Sequence, residues 1–155
     1  MIHEFSKENI AEIGAVLDAK PKLLGDDVFR FEVKNEEGGY KLALEIHLGL
    51  EVKGKRMNMV SVYSGSNFLQ LHNCTAFIPS DILKQVTFFG KAGGMTNGLI
   101  IEHGAGCSMY SNVDDSVLNG DFTQLPQDMM MCGVALSLTE TEGLDDFTFD
   151  DEQLS

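Results

Sequence analysis

Apolar residues occupy every second position from residue 40 to residue 53. The residues in this apolar set are Tyr40, Leu42, Leu44, Ile46, Leu48, Leu50 and Val52. The residues between them are mostly charged or small. A period of two without a slip is typical of a β-strand with one buried face and one face in water. The stretch therefore predicts a long strand, and the rest of the chain must cover its apolar face.

Two shorter alternating stretches flank this strand. Residues 28–34 alternate cleanly, and residues 35–39 supply the asparagine and glycines of a turn. After Gly54 the pattern returns over residues 57–64, which predicts an antiparallel meander of three strands. At ~3.3 Å per residue the middle strand would reach ~45 Å if straight, which exceeds most strands. We therefore expect a bulge or bend at Gly49 on its polar face.

The chain before the meander predicts a helix over residues 7–19. Ser6 is a favourable N-cap, and Ile10, Ile13 and Leu17 follow at helical spacing. Because the residue before a proline disfavours the helical region, Pro21 sets the end of the helix.

The chain after the meander predicts a mixture of elements. Residues 68–78 favour a fourth extended segment, and residues 80–92 are compatible with either a short helix or a strand. A further strand is expected over residues 99–112, interrupted by glycines. The proline at 126 and the apolar residues that follow it to Leu138 predict a last helix. Together these elements predict an α+β fold, in which an antiparallel β-meander is packed by an N-terminal and a C-terminal helix.

The charge of the chain is distributed unevenly. The chain has 155 residues and a formal net charge of −13, and all eleven Lys and Arg lie at or before Lys91. We predict one domain over residues 1–139 and an acidic, disordered tail over residues 140–155. The negative field disfavours nucleic acid and anionic membranes as partners and favours a basic protein. No apolar run is long enough for a membrane span.

Cysteine and histidine provide the candidate chemistry. The three cysteines, Cys74, Cys107 and Cys132, are odd in number and widely spaced, which indicates a reducing cytoplasm and no disulfide framework. His72 and Cys74 would share one face of a strand, and His103 with Cys107 could complete a tetrahedral zinc site. The alternative is a thiol enzyme with Cys107 as nucleophile. A buried cysteine beside a solvated histidine is the commoner arrangement, so the sequence predicts no cofactor.

The order of elements, the 99–112 strand feeding an acidic loop and a last helix, and the overall acidity are similar to the type III secretion chaperone-like group. The resemblance covers residues 6–139. It implies a homodimer that binds an extended segment of another protein on exposed apolar and sheet surface. We therefore expect a non-enzymatic protein-binding module, chaperone- or adaptor-like, with Leu48, Leu50 and Val52 as candidate interface residues. A metal-dependent or thiol enzyme and a small-molecule sensor remain the alternatives.

Overall fold

The chain is built mainly from antiparallel strands in the part that its structure, a computed structural model, describes. The described residues are 2–35, 39–64, 67–113 and 134–137. One helix, α1 (Lys7–Leu17), precedes two five-stranded sheets. The first sheet contains β1 (Lys22–Leu23), β2 (Val28–Asn35), β3 (Tyr40–Val52), β4 (Lys55–Ser64) and β5 (Asn67–Leu71). The second contains β6 (Cys74–Ser80), β7 (Gln85–Ala92), β8 (Met95–Glu102), β9 (Cys107–Val113) and β10 (Val134–Ser137).

The predicted α+β fold is wrong, because two antiparallel sheets and a single helix make up the described residues. No C-terminal helix is seen in the part of the chain that the structure describes. Residues 134–137 of that predicted helix form β10, which pairs antiparallel with β9. The remainder of the predicted helix and the acidic tail lie outside the described residues.

Residues 80–92, which the sequence left open between helix and strand, form a turn followed by β7. Val86 and Phe88 join the core on one face of β7, while Thr87 and Phe89 are buried on the other. A strand that is apolar on both faces has no period of two, so its sequence resembles that of a buried helix.

The helix begins as the sequence predicts and ends two residues early. The Ser6 hydroxyl accepts a hydrogen bond from the Asn9 amide at 3.2 Å, which caps the first turn. Asp18 closes the other end in the left-handed conformation at φ 53°. The buried side of the helix includes Gly14, where an added Cβ would lie 3.1 Å from the ring of Phe31. The helix therefore approaches β2 closely.

The three predicted strands of the meander are confirmed as β2, β3 and β4, and each pairs antiparallel with the next. The register of β3 against β4 shifts between His47 and Leu50, and Gly49 within this bulge has φ 62°. The predicted bend at Gly49 is thus confirmed, at a position where a residue without Cβ is favoured.

The predicted extended segment 68–78 is divided between the two sheets. β5 ends at Leu71 and β6 starts at Cys74, with Asn73 between them at φ 51°. The segment that passes from one sheet to the other lies close to β7, since a Cβ at Gly90 would lie 2.5 Å from the carbonyl oxygen of His72.

One core joins the helix and both sheets. It takes Phe29, Phe31, Leu44 and Val62 from the first sheet and Phe77, Phe88, Leu99 and Ile101 from the second, among others. The N-terminal segment adds to this core at β6, where His3 and Phe77 exchange backbone hydrogen bonds of 2.8 and 3.0 Å. Within the described residues, the helix falls short of the length and apolar character of a membrane span.

Candidate functional site

A cleft of about 590 Å³ lies between the end of α1, the edge of β2 and the turn that joins β8 to β9. The residues that line it are Leu17, Asp18, Ala19, Lys20, Glu32, Lys34 and His103. Most of these side chains are charged, and Leu17 and Ala19 provide an apolar wall. The cleft is therefore a polar groove with one apolar side.

The cleft exists because β1 is only two residues long. Lys22 pairs with Arg30 and Leu23 with Phe29, and these are the only residues of β2 that β1 covers. The helix ends at Leu17, so residues 18–21 pass the edge of β2 before the chain joins the sheet. No described strand pairs with residues 31–33 of β2 on this side.

The backbone of Glu32 points into this gap. The Leu24 amide donates to the Val28 carbonyl at 3.0 Å, which shows that Val28 directs its carbonyl towards β1. Backbone direction repeats every two residues in an antiparallel pair, so Arg30 and Glu32 direct their amide and carbonyl to the same side. Arg30 faces Lys22. Glu32 faces the cleft.

The third wall of the cleft is fixed by a tight turn. The His103 amide donates to the Lys84 carbonyl at 2.8 Å, and Ala105 adopts φ 67°. Gly104 lies against the end of β2, since a Cβ there would be 3.4 Å from the Asn35 Nδ2 atom. These contacts place the exposed imidazole of His103 opposite the end of α1.

A buried charge cluster adjoins the cleft on the face of the first sheet that points away from the core. Arg30 is only 4% exposed. Its Nη1 atom lies 3.5 Å from Glu45 Oε2, and its Nη2 atom lies 3.6 Å from Glu32 Oε2. His47 Nε2 lies 3.5 Å from Glu45 Oε1. Glu32 therefore belongs both to this cluster and to the lining of the cleft.

The cluster is polar but incompletely hydrogen-bonded. The Arg30 Nε and Nη2 atoms are buried and lack hydrogen-bond partners among the described residues. Burial, and then the negative charge of Glu45, raises the pKa of Tyr63 above its ordinary value. The charges of this cluster are thus held in an environment with little water, where they act strongly on one another.

The four residues considered for zinc or thiol chemistry are separated by the fold. Cys74 and Cys107 are core residues, while His72 is exposed, with its Nε2 atom 3.0 Å from Gln70 Oε1. His103 lies in the cleft. No group of three His, Cys, Asp or Glu in the described part of the chain is placed to hold a metal ion. The structure does not gather the four into one site.

Burial raises the pKa of the Cys74 thiol to about 12. Burial, and then the charge of Glu102, raises the pKa of the Cys107 thiol to about 12. A cysteine nucleophile reacts as the thiolate. Both thiols are therefore held in the unreactive form at neutral pH.

The candidate interface residues Leu48, Leu50 and Val52 are each partly exposed near the end of β3. Leu48 packs against the core, and the other two lie beyond the bulge. Of the candidate metal, catalytic and interface residues named from the sequence, only His103 lines the cleft. Asp18, Lys20, Glu32 and Lys34 were missed, because no periodic pattern marks a strand edge left open by a short neighbour.

Comparison with protein-family models, with curated proteins and with solved structures finds no match to this chain. The resemblance to the type III secretion chaperone-like group therefore stays a prediction.

Proposed function

We propose that the chain is a non-enzymatic protein-binding module that receives an extended segment of another protein in the cleft. The segment adds to the first sheet as a strand beside β2. The observation that carries this proposal is the edge of β2 at residues 31–33, which no described strand covers and along which the cleft opens. An uncovered edge is the usual template for strand addition.

The length of the edge suits a short peptide. Residues 31–33 span about 10 Å at roughly 3.3 Å per residue, which is enough for a peptide of about three residues to pair with Glu32. Glu32 offers its amide and its carbonyl to the incoming backbone. Main-chain hydrogen bonds of this kind supply affinity that depends little on sequence, and pockets for alternate side chains supply specificity.

The walls of the cleft indicate the side chains that the segment carries. Alternate residues of an added strand point to opposite faces. One set meets the apolar wall of Leu17 and Ala19, and the other meets a surface where Asp18 and Glu32 are interspersed with Lys20 and Lys34. The fitting segment is extended, with small apolar residues alternating with charged residues of both signs.

Peptides displayed on phage can supply the probe, because selection against the full chain requires no known partner. We expect the selected peptides to be extended and to shift the amide NMR signals of residues 18–20, 31–35 and 103. An intermolecular contact between the peptide backbone and the Glu32 amide would support strand addition directly. Peptides that shift other residues, or a selection that yields no binder, would count against the proposal.

Two variants separate backbone from side-chain recognition at the edge. Glu32→Pro removes the amide that faces the cleft and leaves the pairing of β2 with β3 without a lost donor. One lost hydrogen bond of about 1–1.5 kcal/mol weakens peptide binding about tenfold. Glu32→Gln keeps the amide and is expected to bind within a few-fold of the parent. Circular dichroism of both variants checks the fold, and equal affinities would contradict strand addition at this edge.

A further inference from the structure

The far end of the β3–β4 hairpin extends beyond its sheet. The pairing of β2 with β3 starts at His47, and the pairing of β5 with β4 ends at Val60. Residues 48–59, which we call the arm, therefore form a two-stranded extension with no described strand on either side. Its base is held by the bend before β2 and by β6, since the Leu48 amide donates to the Asp27 carbonyl at 2.8 Å and Asn58 Nδ2 donates to the Cys74 carbonyl at 3.3 Å.

One face of the arm carries three apolar residues and, next to the tip, Lys55. Leu50 pairs with Met57, and Val52 pairs with Lys55 two residues further along the same face. Leu50, Val52 and Met57 are all partly exposed. Since the arm has no flanking strand to complete this surface, its apolar side chains remain available for another segment.

The tip of the arm is strongly basic. Lys53 and Gly54 form the turn with φ 52° and 80°, and Lys53, Lys55 and Arg56 are exposed. Of the eleven Lys and Arg of the chain, three thus lie within four consecutive residues. The arm combines a short apolar face with a cluster of positive charge.

The C-terminal part of the same chain has the complementary composition. Residues 140–155 contain seven acids and no Lys or Arg. Within them, Phe147 and Phe149 are flanked by the acid pairs 145–146 and 150–151. Two residues that are two positions apart share a face whenever a chain is extended. Such a segment offers two aromatic rings on one side and carboxylates before and after them.

We propose that residues 145–151 bind the arm of their own chain. Phe147 and Phe149 contact the face of Leu50, Val52 and Met57, and the flanking carboxylates pair with the basic tip. The arm is thereby a site for an acidic, aromatic segment. This inference does not depend on the proposed function, because the arm and the cleft lie at opposite ends of β2.

The chain is long enough for this contact. β10 ends at Ser137, and β10 and β6 lie at opposite edges of the second sheet, four strand spacings or about 19 Å apart. Ser137 is level with Ile78 across the sheet, so Cys74 lies about 10 Å further along β6 and the direct distance is about 22 Å. The base of the arm is bonded to β6 at Cys74. Residues 138–144 can extend over roughly 24 Å at about 3.4 Å per residue, so the segment can reach the base of the arm from β10.

The absence of tryptophan from the sequence permits a direct test in the full chain. Phe149→Trp places a single indole in the segment, and its fluorescence reports whether the ring is buried. We expect an emission maximum to the blue of the same protein unfolded in urea. Combining this change with Lys53→Ser, Lys55→Ser and Arg56→Ser is expected to shift the emission to the unfolded position.

The matched control removes the same charge elsewhere. Lys7→Ser, Lys84→Ser and Lys91→Ser alter three exposed cations outside the arm and should leave the emission unchanged. Phe147→Ser leaves the arm intact and should shift the emission to the red, which guards against an arm variant that fails to fold. About 1 M salt should weaken the contact, because the Debye length then falls to ~3 Å.

Three outcomes would overturn the proposal. One is an emission already at the unfolded position in the Phe149→Trp chain, and another is an equal shift in the arm and control variants. The third is an emission that moves to the red when the protein is diluted. That result would mean that the segment bound to the arm comes from a second copy of the chain.

Discussion

Arg30 shows how a single residue constrains the first sheet. It lies on the face of β2 opposite Phe29 and Phe31, yet it is almost completely buried, and Glu45 on β3 is its nearest carboxylate across the strands. A buried ion pair contributes little net stability compared with apolar residues of the same size. Removing one partner, however, leaves an uncompensated charge in a poorly solvated site.

We therefore expect Glu45→Gln to lower the free energy of unfolding by about 3 kcal/mol, the lower end for a broken buried pair, because Glu32 remains near Arg30. Urea unfolding monitored by circular dichroism measures the change. The matched control is Glu51→Gln, an exposed residue of the same strand, for which the loss should stay within about 0.5 kcal/mol. Equal losses in the two variants would show that the pair is not buried as described.

The two core thiols give a prediction on pH. Their pKa values of about 12 lie above the ordinary value of 9.0, so the folded chain keeps protons that the unfolded chain releases. The contribution of the two protonated thiols to the free energy of unfolding is complete below about pH 9. It is lost as the pH rises towards 12. We expect the urea concentration at the unfolding midpoint to decrease as the pH is raised from 8 to 10.5.

Thiol labelling separates the cysteines from other groups that titrate in alkali. In a chain with Cys132→Ser, an alkylating reagent at pH 8 should modify Cys74 and Cys107 slowly in the native protein and rapidly in urea. Rapid labelling of the native protein would contradict the burial of the thiols. A midpoint that is constant over this pH range would contradict the raised pKa values.

At the scale of elements, β3 has two parts with different roles. Leu44 is fully buried in the core, whereas Leu50 is partly exposed in the arm, beyond the bulge. An aspartate at Leu44 or Ile46 places an unpaired charge in the core, and we expect either substitution to unfold the protein. An aspartate at Leu50 remains in contact with water and should cost less than about 1 kcal/mol.

Thermal melting followed by circular dichroism distinguishes the two parts of β3. The melting temperature of Leu50→Asp should lie within a few degrees of the parent, and Leu44→Asp should show no cooperative transition. If both variants lost stability equally, residues 48–52 would be ordinary core and the arm would not be a separate surface.

The strands that the sequence predicts well are those with one wet face. In β2 and β3, Arg30, Glu32 and Glu45 alternate with Phe31, Leu44 and Ile46, so the period of two is visible. In β7, Thr87 and Phe89 are as buried as Val86 and Phe88. Because both faces of this strand are covered, its sequence does not alternate between apolar and polar residues. The choice between helix and strand there is made by tertiary pairing.

The candidate site was harder to predict than the fold. His103 could be singled out by its chemistry alone. Lys20 and Glu32 enter the cleft because β1 pairs with two residues of β2 and then stops. The point where β1 stops pairing with β2 depends on where α1 packs. The close approach of Gly14 to Phe31 sets that position, and it exists only once the core has formed.

At the scale of the whole molecule, aromatic rings connect the N-terminal segment to the second sheet. Phe5 lies 5.2 Å from the ring of Phe77 and 6.2 Å from that of Phe88, measured between centroids. Since Phe5 directly precedes the cap of α1, these contacts hold the start of the helix against β6 and β7.

We expect Phe5→Ala to lower the free energy of unfolding by about 3 kcal/mol, which is typical of the loss of a packed phenylalanine. Leu23→Ala is the control, because Leu23 is 67% exposed and its truncation should cost little. Chemical denaturation of both variants checks the difference. A cost for Phe5→Ala no larger than that of the control would place the N-terminal segment outside the cooperative unit.

The order of strands also has a consequence for synthesis on the ribosome. β1 and β6 each begin a sheet, and every later described strand except β10 follows its partner after a short connection, so the first sheet can pair while the second is still being made. The helix is made first but packs on β6 and β7. At roughly 5–20 residues per second it waits several seconds for them. Until then its apolar side is covered only by the first sheet, where Gly14 approaches Phe31, and this interval is when a nascent chain would be most prone to aggregate.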